Sequence, residues 1–151
     1  MKILGIRNAP QQLRYAILGL QNGIYTLLNA STENIIRKPA TVAETSAHLK
    51  WIKDELHRVI RQNPDIELIA LKVPEFAGSK TISARNGDYL DAITLLVANE
   101  SDIPISTKLY SQMGTKRSSV LTHSEQRVGK TNNAWNEQIA DAVGAAWSAS
   151  R

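Results

Sequence analysis

Lys2-Ile3-Leu4-Gly5-Ile6-Arg7, with the two segments that follow it, Gln12 to Leu20 and Gly23 to Leu28, decides the fold. The first segment is apolar as far as Ile6 and is closed by a cation, Arg7. In the second, Leu13, Tyr15 and Ile17 alternate on one face, the two-residue period of a strand. Gln21-Asn22-Gly23 follows, and Asn and Gly tolerate the positive φ that a tight hairpin turn needs. Ile24, Leu27 and Leu28 then mark a third strand. Three sequential antiparallel strands make a meander.

Beyond the meander, helices and strands alternate. Residues 29–42 are polar, contain Pro39 and read as a connection. Thr41 to Glu44 has the form of a capping box, with Thr45 or Ser46 as another start. Leu49, Ile52, Leu56, Val59 and Ile60 recur at spacings of three and four, which stacks them on one helical face. Pro64 ends that helix, because it cannot continue the hydrogen-bond ladder and disfavours helical geometry at Asn63. Ile66 to Val73 is a nearly continuous apolar run, as expected of a strand buried on both faces. A polar loop around Gly78 leads to a second helix marked by Tyr89, Leu90, Ile93, Leu96 and Val97. Ile103 to Tyr110 reads as a last strand, with Pro104 at its beginning. A short helix at about 116–128 and a last one at about 134–148 complete the chain.

The order β-β-β-α-β-α-β-(α)-α requires crossover connections between the later strands, hence parallel pairing. The expectation is an α/β fold: a mixed five-stranded sheet, antiparallel in strands 1-2-3, with helices on both faces. At 151 residues the chain is expected to be one domain, residues 1–151, with a substantial core. No apolar run reaches the roughly 18 residues that span a bilayer, and the N-terminal apolar stretch is too short for a signal peptide. The absence of cysteine excludes disulfides and thiolate metal sites and fits the cytoplasm. A net charge of +4 and a pI near 9.5 permit contact with nucleic acid without requiring it.

Four short motifs, in order and at similar spacing, carry a resemblance. Ile3-Leu4-Gly5-Ile6-Arg7-Asn8-Ala9 resembles an opening I-L-G-I-D-P-G. Pro64-Asp65 with Leu68-Ile69-Ala70-Leu71-Lys72 resembles P-D-x-x-A-I-E. Ile103-Pro104-Ile105 resembles the strand after the second helix, and Gln138-Ile139-Ala140-Asp141-Ala142-Val143 resembles a closing D-A-A-D-A-L helix. Together they are similar to the RuvC-type Holliday-junction resolvases of the ribonuclease H-like superfamily. The resemblance implies a three-layer fold, a possible homodimer, and a nuclease site of four acids. Carried over position by position, Arg7 stands at the first catalytic aspartate, Lys72 at the glutamate and Gln138 at the third acid. Asp141 alone keeps the family's residue.

Those exchanges bear on chemistry. Hydrolysis by that family's route uses two divalent ions roughly 4 Å apart, each held by several carboxylate oxygens. Two acids replaced by two bases move the local charge by about four units. A cation roughly 8 Å from a divalent ion costs on the order of 4 kcal/mol at an effective dielectric of 20. The expectation is therefore a degenerate site at Arg7, Lys72, Gln138 and Asp141, with no assigned catalytic residue, no metal and no cofactor. Arg7 and Lys72 have three destinations open to them: a buried ion cluster with Asp141, an anion pocket, or solvent. An alternative keeps nuclease activity, with Mg2+ or Mn2+, by a shifted set in which Asp141 joins Glu67 or Glu75, Asp88 or Asp91.

The most basic stretch, 108–130, is the candidate surface for DNA or RNA. Lys108, Lys116, Arg117, Arg127 and Lys130 are its cations, with Tyr110 as a stacking partner. A solvated polar face accounts for it equally well. His48, His57 and His123 have no metal-ligand spacing and read as surface residues. No G-x-S-x-G or phosphate-cradling glycine loop is visible. Trp51, Trp135 and Trp147 read as core, while an exposed Trp51 or Trp147 would favour a protein-interaction or dimeric module with no nucleic-acid role.

Overall fold

The computed structural model describes residues 1–76 and 81–151; the loop expected around Gly78 lies outside them. The strands are β1 (Lys2–Ala9), β2 (Gln12–Gln21), β3 (Ile24–Leu27), β4 (Ile35–Arg37), β5 (Ile66–Lys72) and β6 (Ile105–Lys108). The helices are α1 (Thr45–Gln62), α2 (Ile82–Glu100), α3 (Tyr110–Met113), α4 (Val120–Arg127) and α5 (Glu137–Ala149). They form one mixed sheet in the order β3-β2-β1-β5-β6, with β4 also paired to β2.

The meander forms as expected. Asn22 and Gly23 both have positive φ, 53° and 78°, the requirement of the twisted two-residue hairpin between β2 and β3. β5 and β6 run parallel to β1, joined through α1 and α2. α1 buries Ile52, Leu56 and Val59, the stripe read from its periodicity.

Three local expectations are corrected. The polar connection 29–42 contains a sixth strand, β4, which pairs Ile35–Arg37 with Gln12–Arg14. β3 and β4 share one edge of β2, and Asn29 fills the gap between them. Its Oδ1 accepts from Ile17 N at 2.8 Å, while its Nδ2 donates to Tyr15 O and Glu33 O. A three-residue strand bounded by polar residues is too short for an alternation signal to register. The capping box at Thr41–Glu44 does not form; Glu44 is the N-cap of α1 and its side chain makes no cap bond. α5 begins at Glu137 rather than near 134, because Asn136 caps it by accepting from Ile139 N at 3.2 Å, and Ala134 is left-handed.

Strand alternation sorts the core into two sides. Leu4, Ile6, Ile69 and Leu71 face α1 and α2. Ile3, with Ala16 and Leu18, faces α5. α3 and α4 lie against α5, where Met113 and Val120 meet Ala140 and Ala145. Gly5 is required where α5 crosses β1: a Cβ there would overlap the Ala142 carbonyl and Ala146 Cβ. That close crossing places the N-terminal half of α5 over the end of β1. No helix among the described residues is long and apolar enough to cross a membrane.

Candidate functional site

Two-residue alternation carries Ile3 and Gly5 toward α5, and so carries Arg7 there as well. The sheet registers then place Arg7 opposite Arg14 on β2 and Lys72 opposite Lys108 on β6. Because Ile6 pairs with Leu71, Arg7 and Lys72 are the next neighbours across β1 and β5. Four cations thus cross four adjacent strands in one row: Arg14, Arg7, Lys72 and Lys108. Arg14 was not singled out from sequence. The Pro10-Gln11 hairpin held the signal, since its register alone sets Arg14 beside Arg7.

The row meets one buried carboxylate. Asp141, fully buried on α5, accepts from Arg7 Nε at 3.1 Å through Oδ2 and from the Tyr110 hydroxyl at 2.8 Å through Oδ1. Burial raises its pKa above the ordinary carboxylate value, against the opposing pull of Tyr110, Arg7 and Lys72. Burial and the nearby Asp141 charge likewise raise the Tyr110 phenol, which keeps its hydroxyl as the donor. Arg7 also donates to Asn8 O at 2.7 Å and stays partly open to solvent.

Lys72 does not bond to Asp141. Its buried ammonium donates to Val73 O at 2.5 Å and Glu75 at 3.1 Å, and lies 4.0 Å from the centroid of the Tyr110 ring. Glu75 also accepts from Tyr110 N at 2.8 Å. Partial burial opposes its charge, but Tyr110 N and Lys72 outweigh burial and hold its pKa below normal. Of the three destinations open to the two cations, Arg7 takes the pair with Asp141; Lys72 takes none of them and pairs instead with Glu75, and Tyr110 joins the two pairs. Gln138 sits apart, accepting from Gln12 on β2 at 2.7 Å.

The shifted carboxylate set is not assembled. Glu67 pairs with the N-terminal ammonium at the far end of β5. Asp91 faces the opposite side of the sheet, accepting from Asn8 at 2.9 Å, and burial lifts its pKa to about 6. Among the described residues no three His, Cys, Asp or Glu side chains converge where a metal ion could sit, and residues 77–80 are Ala-Gly-Ser-Lys. A divalent pair does not fit this donor set: both Asp141 oxygens are engaged, and the neighbouring positions carry cations.

The 108–130 cations are not equivalent. Arg117 Nε shares its one N–H between the two oxygens of Glu137 in the first turn of α5, at 2.9 and 3.1 Å, and Lys130 pairs with Glu125 at 3.2 Å. Arg127 lies 5.0 Å from the centroid of the Trp147 ring. Lys108 and Lys116 have no carboxylate partner among the described residues. Tyr110 is buried, so its ring is not an exposed stacking platform. The surface reading of the histidines fails for His123, which is buried against Trp147. Trp51, Trp135 and Trp147 are all partly buried.

Solved structures decide the architecture. Thermus thermophilus RuvC, in complex with Holliday junction substrate, matches with a TM-score of 0.79 at 15% identity, over 98% of this chain and 92% of that one. This chain has the RuvC fold. A second structure of the same Thermus protein matches at 0.76. The yeast mitochondrial Holliday junction resolvase Ydc2 matches at 0.52 with 13% identity, over 98% of this chain and 75% of that one. No family model matches the sequence, and no curated protein matches it significantly. The likeness to RuvC is therefore one of architecture. The ribonuclease H-like α/β reading, with a mixed sheet and helices on both faces, is borne out, with six strands in place of five.

Proposed function

We propose that this chain is a RuvC-fold domain that binds nucleic acid, DNA in the first instance, without metal-dependent cleavage. One observation carries the reading. At the end of β1, where the resemblance places a metal-binding aspartate, Arg7 neutralises the one remaining acid of that set, Asp141. Lys72 is buried and paired with Glu75, so the positive charge open to a ligand begins at half-buried Lys108 and continues into the exposed cations of the 108–130 segment. Such a surface suits a phosphate backbone, which is recognised by charge whatever its sequence. The Thermus protein's junction-bound structure supports DNA as the ligand class.

Fluorescence anisotropy with four-way, duplex and single-stranded DNA tests binding, and gel analysis with Mg2+ or Mn2+ tests cleavage. The expected result is salt-dependent binding with intact DNA. Cleavage that disappears in Asp141→Ala would overturn the non-cleaving half, and no binding at low salt would overturn the other.

A second reading, a dimeric interaction module, draws on α2. Ile82, Tyr89 and Leu96 are exposed at seven-residue spacing on the face away from the sheet, with Ala92 among them. Under this reading a second copy covers that stripe. Sedimentation equilibrium tests it: a dimer dissociated by Leu96→Glu supports it, and a monomer at all concentrations removes it.

A further inference from the structure

His123 is 7% exposed, and neither of its ring nitrogens has a hydrogen-bond partner among the described residues. A buried imidazole always carries at least one N–H, so this burial leaves a polar group uncompensated. One edge of the environment is apolar: the ring stands nearly perpendicular to Trp147, with centroids 5.2 Å apart. Nε2 points elsewhere, toward the left-handed turn at Gly114, where even an added Cβ would remain 4.0 Å away. A surface pocket of about 320 Å3 lies at that turn, between residues 114–116 and one face of α4, with both His123 ring nitrogens closed off from solvent at its edge.

The lining of this pocket is chemically one-sided. Ser119, Thr122, His123 and Gln126 follow the spacing of a single helical face, and Lys116 and Arg127 flank them. No Asp or Glu lines it. The acids nearest in sequence are committed elsewhere, Glu125 to Lys130 and Glu137 to Arg117. Lys116 makes no ion pair among the described residues. Arg127 places one nitrogen 3.4 Å from His123 O and its guanidinium over Trp147, which orients the cation beside the pocket. Burial, then the Arg127 charge, lowers the His123 pKa, so the free ring at neutral pH is a neutral donor and acceptor.

Two cations, two hydroxyls, an amide and an unpartnered imidazole suit a tetrahedral oxyanion and not a metal ion. We propose that Lys116, Ser119, Thr122, His123 and Arg127 form a phosphate-binding pocket. The phosphate is either free or carried on a nucleic-acid strand. The nucleic-acid source rests on the function proposed above; the pocket itself does not.

Inorganic phosphate is titrated into the full chain at constant ionic strength, with chloride as the control, while imidazole 1H–15N signals are followed. The chain has 3 histidines, so His123→Gln identifies the signal. The expected result is a saturable shift of His123 in phosphate alone, with affinity reduced about tenfold in the solvent-exposed variants Lys116→Ala and Arg127→Gln. In the second arm, the salt slope of DNA binding falls by about one for Lys116→Ala if the pocket holds a strand phosphate. A phosphate shift with an unchanged DNA slope supports the pocket with free phosphate as its ligand. A phosphate shift without any DNA binding supports the pocket and overturns the nucleic-acid reading. DNA binding with an unmoved His123 signal and an unchanged Lys116→Ala slope overturns the pocket and leaves the nucleic-acid reading standing.

Discussion

Arg7 Nε lies 3.1 Å from Asp141 Oδ2, joining the end of the first strand to the last helix across 134 residues of sequence. With the Tyr110 hydroxyl on the other oxygen, this pair gives a fully buried carboxylate both of its direct partners. Removing one partner of a buried pair leaves the other charge in low dielectric, which costs more than the pair itself contributes. Arg7→Ala is therefore expected to lose about 2–4 kcal/mol of stability. Adding Asp141→Asn to it should recover a large part, because no unpaired charge then remains. Urea midpoints for the two single variants and the double variant measure the coupling, and strict additivity would rule it out.

Replacing the cations by acids should create what the natural site lacks. Arg7→Asp with Lys72→Glu and Gln138→Asp places four carboxylates at the positions implied by the resemblance. The triple variant is expected to gain thermal stability in Mn2+, while the natural chain shows no shift in the same titration. Differential scanning fluorimetry with a Mn2+ series checks both.

Two glycines should respond in opposite directions. Gly5→Ala drives a methyl group into the Ala142 carbonyl, where both partners are backbone and neither can yield. The expected loss is about 3 kcal/mol, at the upper end for overpacking. Gly87 lies within α2, and a Cβ there meets nothing within 4 Å. Gly87→Ala should gain about 0.5–1 kcal/mol through helix propensity and reduced freedom of the unfolded chain. Denaturant midpoints separate the two.

Asp91 gives stability a pH dependence of defined sign. Its carboxyl is lifted by burial to about 6 from 3.8, so between these values the native state holds a proton that the unfolded state has released. Stability contributed by this group is complete below pH 3.8 and is lost as pH rises toward 6. The loss amounts to about 3 kcal/mol. Asp91→Asn keeps an acceptor for Asn8 and should flatten that part of the profile. Unfolding free energies between about pH 4 and 7 test it; an unchanged slope in the variant would assign the dependence to another group.

Lys108 and Arg117 have the same formal charge, but their contributions to DNA binding should differ. Arg117 already shares Glu137, so a phosphate must compete for it, whereas Lys108 has no carboxylate partner among the described residues. Lys108→Ala is expected to reduce the salt slope by about 0.9, the value for one lost phosphate contact, and Arg117→Ala by clearly less. Anisotropy titrations across a salt series compare them.

Much of the architecture was legible because its signals are local. The Asn22-Gly23 turn, the spacing from Leu49 to Ile60 and the apolar run at Ile66 each act over a few residues, and each formed as read. Pairing across distance was decided only by the fold. β4 depends on the exposed edge of β2 and on Asn29, not on a pattern of its own. His123 lies among polar residues yet is buried, because Trp147 of a later helix covers it. Sequence alone thus determined the meander, the buried strand at Ile66 and the main helices. Tertiary structure alone decided that Arg7 meets Asp141 while Lys72 turns to Glu75, because a charge's partner is set by which elements pack together, and that packing is not a local property of the chain.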